Sequence, residues 1–90
     1  MIGTITIKQF FETRANFAIH CDTEEKAKKL LAAFDKTGHR WPSGQSYTKY
    51  TVWKNHKEET CYANTGCCGS VKSLKEDGYI VFEFEEIELD

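Results

Sequence analysis

The chain has one proline and six scattered glycines in 90 residues. With no Pro/Gly-rich stretch to serve as a linker, and a length that buries only one core, residues 1–90 are expected to form a single domain. No apolar run approaches the ~20 residues that cross a bilayer. The N-terminus places Thr4, Thr6 and Lys8 between its isoleucines, so it lacks the apolar segment of a signal peptide. A cytoplasmic location with no membrane partner is the expectation.

Phosphate-binding loops are also missing. Pro42-Ser43-Gly44 is one turn, and Gly66-Cys67-Cys68-Gly69 lacks the Lys-Ser/Thr that completes a P-loop. No cysteine sits in a Gly-Ser-Cys-Trp type of neighbourhood, and no Asn or Asp is placed to orient His39 or His56 as a base. Glu58-Glu59 falls in a polar segment where solvent is the natural partner. These absences point away from an enzyme, and no cofactor is expected.

Negative charge is concentrated at the end of the chain. Glu83, Glu85, Glu86, Glu88 and Asp90 account for five of the fourteen acids, so the preceding residues hold nine acids against twelve bases. That mildly basic body is too weakly charged for duplex DNA, which demands neutralisation of many phosphates, but it suits one anionic ligand or an acidic protein patch. The terminal acids interleave with Phe82, Phe84 and Ile87, as on the solvated face of a strand.

The four cysteines, Cys21, Cys61, Cys67 and Cys68, raise a metal site, with His20, His39 and His56 as further ligands. Structural zinc favours pairs two to four residues apart, whereas Cys61 and Cys67 are six apart and adjacent Cys67 and Cys68 on a strand would face opposite ways. Free thiols are therefore expected, and no metal ligand is assigned.

What the chain does have is aromatics crowded with cations from His39 to Tyr62. Trp41, Tyr47, Tyr50, Trp53 and Tyr62 alternate there with Arg40, Lys49, Lys54, His56 and Lys57 around one Ser-Gly turn. Trp and Tyr offer wide contacts at low entropic cost, and neighbouring cations add charge, a combination suited to rings, phosphates and partner surfaces. The candidate binding residues are Arg40, Trp41, Ser43, Gly44, Tyr47, Tyr50, Trp53 and His56. Ser43 and the turn amides would hold a phosphate beside Arg40 while a Trp stacks a base. Aromatics at strand period are also the commonest core residues, so about half of this cluster is expected inside.

An apolar share of 40% is enough for a packed fold. Alternation predicts a strand over Ile2 to Phe11 and another from Phe17 to Cys21. Asp22, with Glu25 three residues on, predicts a capped helix with Ala27, Leu30, Leu31 and Phe34 on its apolar face and Gly38 at its end. Tyr47 to Trp53 reads as strand. Thr60-Cys61-Tyr62 reads as strand too, followed by a turn at Asn64-Thr65-Gly66. A short helix capped by Ser70 and ended by Gly78 then leads into a strand from Tyr79 to Phe84. The expected fold is α+β: a mostly antiparallel sheet with one longer and one short helix packed on one face.

The phrases TEEKAKKLLAAFDKTGHRWPSG, KEETCY and KEDGYIVFEFEEI, with a Trp-centred segment between the first two, resemble small uncharacterised accessory proteins of phages and prophages of Firmicutes. The likeness covers residues 17 to 87 and carries no site residues. It implies a context in which such proteins act by binding, as anti-CRISPR inhibitors or as sponges for nucleotide signals. The expected function is thus a non-enzymatic protein that counters host defence, either by sequestering a nucleotide-like signal or by blocking a host protein. A nucleotide pocket would be shared between subunits of a homo-oligomer, since a fold this small has little room for a private one. The alternative is a small accessory module that binds zinc or single-stranded nucleic acid.

Overall fold

A computed structural model describes residues 5–41, 43–49 and 53–88. The chain is α+β. In order it forms β1 (Ile5–Thr6), α1 (Ile7–Glu12), β2 (Phe17–His20), α2 (Glu24–Lys36), α3 (Trp53–His56), β3 (Thr60–Ala63), β4 (Cys68–Ser70), α4 (Val71–Glu76), β5 (Ile80–Glu83) and β6 (Ile87–Glu88). Short 3-10 turns lie at Tyr47–Lys49, Lys57–Glu59 and Phe84–Glu86.

Of the strand expected from Ile2 to Phe11, residues 2–4 lie outside the described residues, Ile5 and Thr6 are strand, and Ile7 onward is helix. Thr6 and Gln9 form a reciprocal capping box: the Thr6 hydroxyl accepts from the Gln9 amide at 3.1 Å and the Gln9 side chain accepts from the Thr6 amide at 3.0 Å. Two helix-start donors are thereby satisfied, and Ile7 and Phe10, three apart, turn into the core. Helix α2 is capped by Thr23, one residue later than expected, through the Lys26 amide at 3.1 Å. Asp22 instead holds the Lys26 ammonium at 2.7 Å. The helix ends as expected at Gly38, whose φ of 89° lets the His39 amide return to the Phe34 carbonyl at 3.2 Å.

The main sheet runs β4-β3-β2-β5, with β2/β3 and β3/β4 antiparallel and β2/β5 parallel, while β1 and β6 form a separate parallel pair. Residues pointing to one face, including Ile19, Tyr62 and the half-buried Phe82, join the buried side chains of α1 and α2 in the larger core. Residues pointing to the other face, Ala18, Cys61 and Ala63, pack with Leu74 of α4 and with Val71, Tyr79 and Val81. The two helices expected on one face therefore lie on opposite faces. The physical reason is the parallel β2/β5 pair, which requires a crossover, and α4 supplies it across the second face.

The strand expected from Tyr47 to Trp53 is replaced by a 3-10 turn at Tyr47–Lys49 and one helical turn at α3, with residues 50–52 outside the description. Ser46 diverts the chain: its hydroxyl donates to Asp35 at 2.6 Å and accepts the Thr48 amide at 3.2 Å, which closes the backbone into a turn.

Asn64, in the turn after β3, ties these pieces together. Its amide nitrogen donates to the carbonyls of Phe10 and Ala15, both at 2.9 Å, its side-chain oxygen accepts the Phe17 amide at 3.3 Å, and its own amide donates to the Phe17 carbonyl at 2.9 Å. Asn64→Ala should cost about 2–3 kcal/mol in denaturant unfolding, because it strands three partners at once. Asn64→Asp should cost at least as much, since a carboxylate would face two carbonyl oxygens. No change in stability for either variant would contradict the clamp.

Candidate functional site

The expected binding residues separate into a core set and a surface set. Trp41 and Tyr47 are 5% and 2% exposed and belong to the larger core. Tyr47 meets Phe34 edge-on at 5.1 Å between ring centres, and Trp41 lies 4.6 Å from Tyr47 and 6.2 Å from Tyr62. Burial pushes the phenols of Tyr47 and Tyr62 upward, keeping both neutral. These rings build the protein's interior.

Above them the chain makes a tight turn. The Trp41 amide donates to the Gln45 carbonyl at 3.0 Å, the Gly44 amide donates to the Trp41 carbonyl at 2.8 Å, and Arg40 bridges Ser46. Arg40, Ser43 and Gly44 are exposed on this turn. Trp53 is half-buried against the core and starts α3, which also presents Lys54 and half-buried His56. Tyr50 lies outside the described residues.

Two features were not anticipated. The first is a stack of Phe11 on His39, 3.6 Å between ring centres and tilted by 11°. The Thr37 hydroxyl donates to the Phe34 carbonyl at 2.7 Å, so it accepts from His39 Nδ1 at 2.7 Å. Lys8, Glu12 and Thr37 complete an open cleft of about 440 Å³ around this pair. Nothing in the sequence spacing joins Phe11 to His39; the Gly38 turn does so.

The second is a clip at His20. Its Nδ1 lies 2.8 Å from a Glu83 carboxylate oxygen and its Nε2 lies 2.7 Å from the Glu58 carbonyl. Both partners are acceptors, an arrangement that favours the imidazolium form. Burial opposes that charge, but the Glu58 carbonyl, the Glu83 carboxylate and Asp22 outweigh it, and the pKa is raised. The clip steadies a strained segment: Lys57 has φ of 49°, the only positive value among described non-glycine residues. The Thr60 hydroxyl, fully buried, donates to the Lys57 carbonyl at 2.7 Å from the other side.

The thiols offer little chemistry. Cys21 and Cys61 are fully buried, and burial raises both, Cys61 to about 12; burial raises Cys68 as well. Cys67 is exposed. Among the described residues no three of His, Cys, Asp and Glu come together as a metal set, and no helix is long and apolar enough to cross a membrane. No family model, curated protein or solved structure matches this chain.

The His20 clip makes a signed prediction. Because the folded pKa is raised, its contribution is fully present below the unfolded histidine value near ~6.5 and is lost as pH rises through the folded value. The difference in melting temperature between wild type and His20→Gln should therefore shrink from mildly acidic to alkaline pH. A difference that is constant across that range would contradict the clip.

Proposed function

We propose that this is a non-enzymatic binding protein of the phage-accessory type that counters a host function by occupying a host protein. The observation that carries the reading is the burial of Trp41 and Tyr47 beneath the turn that exposes Arg40, Ser43 and Gly44. A ring-binding pocket needs free aromatic faces, and these two are in contact with Phe34, with Tyr62 and with each other. What they leave outside is a braced turn with a cation, a preorganised contact that loses little entropy on docking. Helix α3 adds exposed Lys54 with half-buried His56 and Trp53. Cations beside a half-buried aromatic suit an acidic protein patch, in keeping with the mildly basic body of the chain.

Tagged protein expressed in a Firmicutes host should retain one host protein through cross-linking and purification. Arg40→Glu and Lys54→Glu, both at exposed positions, should each reduce that recovery by about tenfold while leaving the melting temperature unchanged. Calorimetry with cyclic nucleotides should show no heat. Tight nucleotide binding, with host-protein recovery indifferent to both variants, would overturn the reading in favour of signal sequestration.

A further inference from the structure

We infer that the outer edge of β5 is a self-association surface, where a second copy of the chain adds an antiparallel strand with its Val81 opposite Val81. The hydrogen-bond parity of the strand sets this edge apart from the surfaces of the proposed target site. Ile80 donates its amide to the Asn16 carbonyl at 2.9 Å, and the parallel register of Phe17 with Ile80 and Ile19 with Phe82 commits Ile80 and Phe82 to β2. Alternation then turns the N–H and C=O of Val81 to the opposite side. β5 is the last strand of its sheet, and among the described residues no element pairs with that side.

The neighbouring donors on the same side are already used. The Tyr79 amide donates to the Leu74 carbonyl at 3.0 Å, and the Glu83 amide donates to the Glu86 carboxylate at 2.9 Å. What remains open is one residue with both backbone groups free. In an antiparallel ladder a hydrogen-bonded pair exchanges both bonds between two residues directly opposite each other. A single such residue is therefore satisfied by its own counterpart about a twofold axis, the isologous arrangement of a C2 dimer.

The side chains fit this register. Ile80 is 55% exposed, the only large hydrophobic so exposed among the described residues, and half-buried Phe82 shares its face of the sheet. With Val81 on the axis, Ile80 of each copy lies opposite Phe82 of the other, and both apolar surfaces are covered. Glu83 falls opposite Tyr79 rather than another acid. Charges that usually guard an edge are tied down within the chain: Glu83 to His20, Glu85 to Lys26 and Glu86 to the Glu83 amide. The other edge, β4, presents only Cys68, Gly69 and Ser70, with no large apolar side chain to bury.

Sedimentation across a concentration series, paired with amide hydrogen exchange at Val81, tests the inference. The expected result is a monomer–dimer equilibrium in which Val81 exchange slows as protein concentration rises. Val81→Pro removes the outward donor without removing a bond to β2, and Ile80→Lys charges the covered ridge; each should weaken dimerisation about tenfold or more while circular dichroism stays native. A chain that stays monomeric with concentration-independent Val81 exchange would overturn the proposal. So would a dimer that is indifferent to both variants, which would place the interface elsewhere.

Discussion

Asn64 joins segments that lie 47 to 54 residues apart in the chain, and the rest of the fold is arranged around that junction. One side chain receives the end of α1, the turn that follows it and the first amide of β2. With α1 held there, Phe10 stacks on Phe34 of α2 at 5.6 Å, and Phe11 meets Phe34 edge-on at 4.8 Å. The aromatic contacts continue through Tyr47 and Trp41 to Tyr62 on β3, two residues before Asn64 itself. The polar clamp and the aromatic core thus close on one another, so a fold with short strands gains its definition from side chains.

That closure divides the aromatic-basic segment into buried and exposed residues. Trp41, Tyr47 and Tyr62 are buried in the interior, while Arg40, Ser43, Gly44 and Lys54 are exposed. Surface residues on a turn anchored by buried aromatics keep their geometry without a partner, the condition under which a small interface binds well. His20 extends the same logic to the segment after α3, holding a left-handed Lys57 in place through the Glu58 carbonyl. Strain retained beside a candidate contact surface is consistent with a segment whose shape matters.

Much of the scaffold was legible in the sequence where local chemistry and tertiary structure agree. The alternation of Phe17 to Cys21, the apolar stripe of α2, the Asn64-Thr65-Gly66 turn, the Ser70 cap and Gly78 all appear where the residue types place them. Helix α1 was hidden because isoleucine alternation and a Thr-to-Gln capping box overlap in the same few residues, and the box won. The 47–49 turn was hidden because Ser46 answers to Asp35, a partner on another element. The site was less legible than the fold for the same reason. An aromatic spacing cannot distinguish a ring that faces a ligand from one that faces Phe34. The long-range pairs Phe11–His39 and His20–Glu83 leave no trace in local pattern.

Trp41, under the Arg40–Ser46 turn, is a structural residue. The most direct measurement is the fluorescence of Trp53→Phe, in which Trp41 is the remaining indole. Emission at short wavelength, with little quenching by acrylamide and no response to ligands, is the result expected for a ring 5% exposed in the core. Emission at the wavelength of solvated indole, with efficient quenching, would contradict the account and return Trp41 to the binding surface.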